Sequence, residues 1–527
     1  MIYCDLLLRY PDQADLLQLL GVLRFEQGKT AEAISLVRSA IEQNPQSLPY
    51  RLQLAHLLER MGQQHQAVES YMECVALAPE NARIRAELAA ALQRCGHLEQ
   101  AIGHFRAAAQ AAPEETEVLA SLATALIEIG ERDEPEDLLM RVLNLDPKHH
   151  EARSRLAGLY LARGEPHNAA EECRRALTFR PDCRHTRWRY VQALLRQGRW
   201  REASVELERH LAGGPDSADA RHRLGLSYLA CGEFARGWEE FEARLTRTAV
   251  PAHHWRAPRW DGEELDGKTI LIWAENCIND AIQFSRYIPL VAARGGRAVV
   301  ECRPELHPLF HRMAAVSAVA CPGQQPDIDC EIPLLSLPRV FHTELNSIPP
   351  PCALDIPEDL RLEWRERLGS FPGLRVGICG AGDFSEFTGP VTSIPFPFLA
   401  GLAAIDGLYI FSLEPGGAAA ELSALPANLR VYPLAGDDSS VLDMAAAILG
   451  LDLVVTADNA LAHLAGTLGA PVWTLLPRAA DWRWMDDRTD SPWYPTMRLV
   501  RQNTPGDWQS VLDWIARALH WPDAPIL

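Results

Sequence analysis

The feature that most constrains the fold is a repeat of 34 residues that runs through the first half of this 527-residue chain. Prolines recur at this spacing, and two further series of mostly small residues keep the same phase. The three series are Pro45, Pro79, Pro113, Pro147, Pro181 and Pro215; Gly21, Ala55, Ala89, Ala123, Ala157, Val191 and Gly225; and Ala33, Ala67, Ala101, Pro135, Ala169, Ala203 and Gly237. Self-similarity at a fixed period of this size predicts a stack of repeated structural units.

Each unit predicts two amphipathic helices, because apolar residues return at the spacing of one helix face. The small residues let the paired helices approach closely, and the proline ends the second helix because it has no backbone N–H. A glycine lies between the helices, where a left-handed C-cap is expected. These glycines are Gly28, Gly62, Gly96, Gly130, Gly164, Gly198 and Gly232.

The units resemble tetratricopeptide repeats (TPRs), whose period is also 34 residues. The resemblance implies an α-solenoid of about seven repeats that binds a protein or peptide partner in its groove. Pro135 replaces the small residue of one second helix, near its start, where proline is tolerated. Pro11 is in phase with the later prolines, so the chain is expected to begin within a second helix.

Composition excludes several classes of protein. Lys and Arg number 51 against 70 Asp and Glu, a net charge of -19, which argues against a general nucleic-acid binder. The 12 cysteines form no CxxC pair, so we expect reduced thiols and no metal site. The chain shows neither a signal peptide nor an apolar run of about 18 residues that could span a membrane. A cytoplasmic protein is therefore expected.

A change of pattern marks the end of the repeats. The seventh repeat closes with GWEEFEARL (237–245), and short β-branched runs begin after Lys268. Between them, His253 and His254 have no third ligand at a suitable spacing, so we interpret them as linker residues. Trp255 and Trp260 are expected to pin this linker to one domain. The predicted domains are a repeat array over 1–248, a linker over 249–267, a first lobe over 268–365 and a second lobe over 366–527.

Strand-like runs alternate with helical segments in the second half, which predicts an α/β fold with parallel sheets. A strand at 269–274, a helix from Asp280 to Arg294 and the strand RAVVEC form one βαβ unit. Further strands are predicted at 374–379, 408–413, 429–434, 451–457 and 471–476, after a proline-rich crossing at 322–357. Two Rossmann-like lobes of this kind place a ligand cleft beyond the carboxyl ends of their strands.

The segment LDLVVTADNALAHLAGTLGAPVWTLLP (451–477) is the strongest candidate for a ligand site. Asp458 and Asn459 follow a predicted strand and open a helix that carries His463 and Gly466. The free amides and positive end of such a helix suit a diphosphate, Asp458 could hold a ribose hydroxyl, and His463 could reach the phosphate. Alternatively, Asp458 and Asn459 only cap the helix and His463 is a core histidine.

The combination of GWEEFEAR, a WDG linker and the α/β half resembles a family of bacterial TPR proteins. Their C-terminal domain is similar to the heptosyltransferase-like glycosyltransferases of family nine, and the layout is similar to that of the O-GlcNAc transferases. The strongest matching pieces are LSLP (335–338), AHLAGTLGAPVW (462–473), DWRW (481–484) and SPWYPTMRLVRQ (491–502). The resemblance implies a two-lobed, B-type glycosyltransferase whose nucleotide-sugar site includes Asp458 and His463.

The resemblance also identifies Asp280, in ENCINDAIQFSRY (275–287), as the general base for the acceptor hydroxyl. Two positions that are glycine in the family are Cys277 and Asn279 here, and their Cβ atoms could block the substrate. Thr392 stands where the family has an arginine that would neutralise the departing diphosphate.

Two arginines could replace the missing one. Arg478 and Arg483 follow the last core strand and either bind phosphate or are loop and salt-bridge residues. The aromatic residues near them either stack on a sugar or base or pack the C-terminal tail across both lobes. They are Trp482, Trp484, Trp493 and Tyr494.

The first interpretation is therefore a metal-independent glycosyltransferase that needs no cofactor besides its nucleotide diphosphate sugar. Its acceptor would be a protein or glycan recruited by the repeats. The alternative is a non-catalytic TPR adaptor with a degenerate glycosyltransferase domain.

Overall fold

A computed structural model describes residues 13–247, 257–275, 277–324, 326–382, 393–414, 422–426, 429–434 and 440–519. The chain divides between Tyr190 and Val191 into two compact units. Residues of the sequence analysis that lie outside the described ranges are Pro11, His253, His254, Trp255 and Thr392.

The described part of the first half consists of paired helices in the predicted 34-residue rhythm. They are α1 (Ala14–Glu26), α2 (Thr30–Gln43), α3 (Leu48–Arg60), α4 (Gln64–Leu77), α5 (Ala82–Arg94), α6 (Leu98–Ala111), α7 (Thr116–Glu128), α8 (Asp133–Leu145), α9 (His150–Ala162), α10 (Pro166–Phe179), α11 (Arg184–Arg196), α12 (Trp200–Ala212), α13 (Ala218–Ala230) and α14 (Phe234–Phe241). Pro135 lies in the first turn of α8, where its missing N–H breaks no helical hydrogen bond.

The glycine between each pair of helices has the left-handed conformation that the sequence predicts. The φ angles are 77° at Gly28, 75° at Gly62, 83° at Gly96, 93° at Gly130, 77° at Gly164, 70° at Gly198 and 80° at Gly232. Residues with a Cβ atom rarely adopt this conformation, so glycine is required at each turn.

Close approach of paired helices makes Gly225 a sensitive position. A Cβ atom there would lie 2.6 Å from the backbone nitrogen of Phe241, which cannot move without shifting α14. We expect Gly225→Ala to lower the free energy of unfolding of the 191–527 unit by about 1–3 kcal/mol through overpacking. Gly103→Ala, where nothing lies within 4 Å of the added atom, should be stabilising by about 0.5–1 kcal/mol. Urea unfolding would measure both, and equal effects would contradict the packing argument.

The second unit contains two parallel sheets. The strands are β1 (Thr269–Trp273), β2 (Arg297–Glu301), β3 (Val316–Ala320), β4 (Cys330–Pro333), β5 (Leu374–Cys379), β6 (Leu408–Ser412), β7 (Val431–Pro433), β8 (Leu453–Ala457), β9 (Val472–Leu476) and β10 (Met497–Arg501). The first sheet has the order β3-β2-β1-β4, and the second has the order β10-β9-β8-β5-β6-β7. All residues of β8 and β9 are buried, as in a sheet that is covered on both faces.

Helices connect these strands. They are α15 (Ile278–Phe284), α16 (Ile288–Ala292), α17 (His307–Phe310), α18 (Leu337–Val340), α19 (Glu358–Gly369), α20 (Phe396–Ala400), α21 (Val441–Gly450), α22 (Ala460–Thr467) and α23 (Trp508–Leu519). The single helix predicted from Asp280 to Arg294 is wrong. A short 3-10 turn at Ser285–Tyr287 divides it, next to Pro289, which cannot donate a backbone hydrogen bond.

The last repeat packs directly on both sheet-containing parts of its unit. The indole of Trp238, on α14, donates from Nε1 to the Thr343 carbonyl at 3.0 Å. Its ring centre lies 5.6 Å from that of Trp482 and 6.2 Å from that of Phe284. The apolar face that ends the repeats is therefore buried against the α/β part rather than exposed to water.

Candidate functional site

The second sheet changes direction between β5 and β8. β5 is its first strand along the chain, and β6 and β7 extend it on one side while β8, β9 and β10 extend it on the other. At the carboxyl ends of the two central strands lie Gly380 and Ala381, after β5, and Asp458 and Asn459, after β8. In open parallel sheets, connections diverge at such a point and leave a crevice.

Asn459 ties the two strand ends together and caps α22. Its Oδ1 accepts from the amides of Leu461 at 3.0 Å and Ala462 at 3.2 Å. Its Nδ2 donates to the Ala381 carbonyl at 2.6 Å, across the point where the sheet reverses. The side chain is buried. It already accepts hydrogen bonds from two of the helix amides that were predicted to bind a phosphate.

Glu414 was not predicted as a site residue. It follows β6 as a buried carboxylate, and its Oε1 accepts from the amides of Gly380 and, at 3.3 Å, Ala381. A lone acid directly after a predicted strand was the only available signal. Glu414 holds the turn after β5 in place from the neighbouring strand.

Asp458 is half-buried beside Arg501, at the end of β10. Burial lowers the pKa of Arg501, and its neighbours Asp486, Asp487 and Asp458 act in the opposite direction. The guanidinium also donates from Nη2 to the Met485 carbonyl at 2.7 Å. Asp458 therefore lies near a cation at the end of β10, two strands away from β8 in the sheet, and its predicted contact with a ribose remains a prediction.

His463 is fully enclosed. Its Nδ1 lies 2.9 Å from the Tyr494 hydroxyl, and its ring stacks on Trp484 with 5.3 Å between ring centres. Burial holds the pKa of this imidazole well below its ordinary value, and the nearby Arg483 and Arg286 act in the same direction. His463 is thus a neutral side chain in the folded protein.

This neutral histidine predicts a loss of stability in acid. Because the pKa of His463 is lower in the folded than in the unfolded chain, its contribution is present above about pH 6.5 and falls as the unfolded state takes up a proton. Between pH 7.5 and 5.5 the cost should reach about 1.4 kcal/mol. His463→Gln should lose correspondingly less stability in urea unfolding over this interval, and should match the parent slope between pH 7.5 and 8.5. An unchanged slope below pH 7.5 would refute the assignment.

Gly466 lies where the helix α22 meets an aromatic ring. A Cβ atom there would lie 2.5 Å from Cγ of Tyr494, so only glycine lets this ring lie against the helix. Its predicted part in nucleotide-sugar binding remains a prediction.

Asp280 and Arg483 form an ion pair between the first and second sheet-containing parts. Asp280, on α15, is 9% exposed and accepts from Nη2 of Arg483. The guanidinium also donates from Nε to Oε1 of Gln283 at 2.6 Å and from Nη1 to Oδ1 of Asp481 at 2.7 Å. The predicted base and a predicted phosphate ligand therefore bind each other in this structure.

Burial and the neighbouring charges shift the pKa of both members of this pair. Burial raises the pKa of the Asp280 carboxyl, and Arg483 lowers it in part. Burial alone would lower the pKa of the Arg483 guanidinium, but Asp481 and Asp280 together raise it above its ordinary value. We therefore treat Arg483 as permanently charged and Asp280 as a carboxylate of raised pKa.

Gln283 and Arg286 extend this cluster and belong to the same sequence motif as Asp280, although neither was predicted as a site residue. Arg286 is buried and donates from Nη1 to the carbonyls of Trp493, at 2.8 Å, and Pro349, at 3.1 Å. The three residues Asp280, Gln283 and Arg286 follow the i, i+3 spacing of one helix face. This spacing could have predicted that Gln283 and Arg286 lie beside Asp280.

Arg478 lies among the charges around Arg501, which include Asp458. Its side chain is 38% exposed, with Nη1 3.8 Å from an oxygen of Asp486 and of Asp487. The described contacts bring Asp280, Gln283, Arg286, His463 and Arg483 together, whereas Arg478 stands with two surface aspartates. Its predicted phosphate contact stays a prediction.

The four aromatic residues that the sequence places near Arg478 and Arg483 are buried. Trp482, Trp484, Trp493 and Tyr494 pack among protein side chains, which agrees with the packing alternative of the sequence analysis. Trp260 is buried as well. Its backbone amide donates to the Glu331 carbonyl of β4 at 2.9 Å and its ring centre lies 6.0 Å from that of Phe341, so it fixes the linker to the first part as expected.

Arg244, at the end of the repeats, reaches the carboxyl edge of the first sheet. This buried guanidinium donates to Glu275, which follows β1, and to Oγ of Ser336, which follows β4, at 2.7 and 2.8 Å from Nη2. β1 and β4 are neighbours in the first sheet, so Arg244 fills the point where that sheet reverses. No local sequence pattern predicts this contact across 31 residues.

Within the described ranges, the His, Cys, Asp and Glu side chains form no group of three that could hold a metal ion. The same ranges contain no helix long and apolar enough to cross a membrane.

Comparisons with known proteins identify the repeats. Family models described as tetratricopeptide repeat match residues 7–148, 121–182 and 160–224. A curated relative, protein FlbA of Caulobacter vibrioides, is 26% identical over 321 residues. That alignment covers 55% of this chain and 53% of FlbA, so the chain spans about half the length of this relative.

Solved structures give similar matches. A tetratricopeptide repeat protein from Parabacteroides merdae is 19% identical, with a TM-score of 0.37, over 44% of this chain and 92% of that one. YrrB, described as a TPR protein with an unusual peptide-binding site, is 16% identical, with a TM-score of 0.31, over 35% and 96% of the two chains. By the family models, the 34-residue units at the start of this chain are tetratricopeptide repeats.

Proposed function

We propose that this chain is a metal-independent glycosyltransferase, which moves a sugar from a nucleotide diphosphate sugar to a hydroxyl of a protein or glycan. In this proposal the second half is a two-lobed, Rossmann-like domain of the B type. The TPR array recruits the acceptor through its groove.

The strand order of the second sheet carries this proposal. Numbered along the chain from β5 to β10, the order is that of the doubly wound nucleotide-binding folds, three strands on each side of a central reversal. Such folds bind nucleotides at the reversal, beyond the carboxyl ends of the strands. Asp458 and Asn459 lie at that point.

In this proposal, the diphosphate of the donor and the general base Asp280 both bind Arg483. Because Asn459 already accepts from the amides of Leu461 and Ala462, the proposal assigns the diphosphate charge chiefly to Arg483, with Arg478 as a second cation. A diphosphate that bound Arg483 would withdraw it from Asp280. Asp280 would then become a stronger base and accept the proton of the acceptor hydroxyl.

The second candidate is a non-catalytic TPR adaptor, and two observations favour it. First, Asp280 and Arg483 bind each other in the structure. Second, Cys277 and Asn279 occupy positions that are glycine in the glycosyltransferase family that the chain resembles. In this case the repeats alone would carry the function by binding a partner protein.

Isothermal titration with UDP-, GDP- and ADP-sugars distinguishes the two candidates. We expect one donor class to bind, and Arg483→Gln to weaken its binding at least about tenfold, because charge-assisted hydrogen bonds contribute about 1.5–3 kcal/mol. The matched control is Asp452→Asn, which removes the ion pair with Arg375 at the opposite edge of the same sheet. Failure of every donor to bind, together with recovery of a specific partner on the repeats, would establish the adaptor instead.

A further inference from the structure

Two cysteines face each other at the carboxyl edge of the first sheet. Glu301 of β2 pairs with Ala320 of β3, and the ladder continues when the amide of Cys302 donates to the Ala320 carbonyl at 3.2 Å. Cys302 and Cys321 are therefore the next pair in register. Neighbouring strands lie about 4.8 Å apart, within the range of Cα separations of about 4.4–6.8 Å that a disulfide requires. Paired residues of parallel strands also project to the same face of the sheet.

The two thiols have different surroundings. Cys302 is 1% exposed, whereas Cys321 is half-buried and can meet a small solute. His307, on α17, places Nε2 3.2 Å from the Cys302 carbonyl and 3.9 Å from Sγ of Cys321. An N–H at this nitrogen that donates to the carbonyl also lies close enough to stabilise a thiolate at Cys321. Burial raises the pKa of Cys302 to about 12, so Cys302 enters the chemistry as a thiol.

We propose that Cys321 and Cys302 form a reversible dithiol–disulfide pair that is oxidised by hydrogen peroxide. The Cys321 thiolate attacks one peroxide oxygen, the O–O bond breaks, and the departing hydroxide takes up the proton that the Cys321 thiol released, which gives a sulfenic acid and one water. The Cys302 sulfur then attacks the Cys321 sulfur, the S–O bond breaks, and the departing hydroxide takes the proton of the Cys302 thiol and leaves as a second water. In total, two thiols and one hydrogen peroxide give one disulfide and two waters.

This pair lies beside the loop that leads to Asp280. The amide of Ala274, directly after β1, donates to the Glu301 carbonyl at 2.8 Å, one residue before Cys302. The proposal stands independently of the transferase assignment, because it needs only the two thiols, His307 and peroxide.

Peptide mapping of the full-length chain after peroxide treatment tests the proposal. We expect one cross-link between the peptides that contain Cys302 and Cys321, which dithiothreitol reverses. Cys321→Ser should abolish this cross-link, whereas Cys330→Ser, which changes a buried cysteine on β4 at the far edge of the same sheet, should leave it unchanged. A cross-link that joins other cysteines, or one that forms only in urea, would overturn the proposal.

Two further variants test the roles of the partners. In Cys302→Ser, a dione reagent should trap Cys321 as its sulfenic acid, because the resolving thiol is gone. His307→Gln should slow the cross-linking about threefold or more, because the thiolate loses a donor. His311→Gln is the control, since its ring centre is 6.2 Å from that of His307. Equal rates in the two histidine variants would remove His307 from the mechanism, and no sulfenic acid in Cys302→Ser would remove Cys321 as the attacking sulfur.

Discussion

Trp238→Ala should lower the free energy of unfolding of the 191–527 unit by about 3–5 kcal/mol, the usual cost of deleting a buried aromatic side chain. The indole is 2% exposed and contacts rings from three parts of the unit: Phe241 on the repeat, Phe284 on α15 and Trp482 in the last segment. The substitution also leaves the Thr343 carbonyl without its donor. Since domains are stable by only about 5–15 kcal/mol, this is a large fraction of the total.

Guanidinium unfolding followed by tryptophan fluorescence and by circular dichroism would measure this change. Phe398→Ala is the control, because this aromatic side chain belongs to the same unit but is 43% exposed. It should cost below about 1 kcal/mol. A loss of similar size in both variants would show that Trp238 does not join the repeats to the sheets.

The contacts of Trp238 and Arg244 predict where the chain can be cut into fragments that still fold. A fragment that begins at residue 249 lacks Trp238 and Arg244, so it should expose Trp482 and leave Glu275 without its buried partner. We expect this fragment to aggregate or to unfold without cooperativity, whereas a fragment that begins at residue 191 should unfold cooperatively. Cooperative unfolding of the shorter fragment would contradict the shared core.

Local patterns in the sequence were sufficient for the repeats. A left-handed turn needs glycine whatever surrounds it, so Gly28 and its counterparts could be placed from their spacing alone. Helix pairing within a repeat depends on contacts over short stretches of chain, and the period repeats the information in every copy. The predicted boundary at residue 248 follows this period, whereas the division at residue 190 follows packing. The first boundary therefore describes the repeat pattern of the sequence, and the second describes the packing of the folded chain.

Three strands escaped prediction for physical reasons. β3 is an edge strand with partly exposed residues. β4 has only four residues and ends in Pro333, so the proline-rich crossing predicted at 322–357 in fact contains the other edge strand of the first sheet. β10 reads MRLVR, in which flanking arginines interrupt the apolar run. For β4 and β10, packing in the sheet supplies the burial that the segment's own composition does not indicate.

Local sequence patterns could predict the contacts of the candidate site only in part. The motif around Asp458 places Asn459 at the start of a helix, and the structure has it there as an N-cap. The contact of Asp280 with Arg483 joins residues 203 positions apart, and the burial of His463 depends on Trp484 and Tyr494. Such contacts arise only when separate elements pack together, so residue types and spacings could nominate the participants without pairing them.

If the transferase proposal holds, Asp280→Asn should reduce sugar transfer by about 10²–10⁴-fold, the usual contribution of a general base. Donor binding should persist, because the amide keeps the size of the carboxyl and still offers an oxygen to Arg483. The parent rate should rise with pH as Asp280 loses its proton, and the midpoint should lie above the ordinary value for aspartate because burial raises this pKa. That rise should be missing in the variant.

Transfer of labelled sugar to the acceptor, measured with the donor that titration identifies, would give both the rates and the pH profile. Asp452→Asn again serves as the control, since its carboxylate pairs with Arg375 at the amino edge of the sheet and should leave the rate within about twofold of the parent. Undiminished transfer by Asp280→Asn would exclude this residue as the base. A loss of donor binding in the same variant would instead assign Asp280 to the positioning of Arg483, because a base that only removes the acceptor proton contributes nothing to donor affinity.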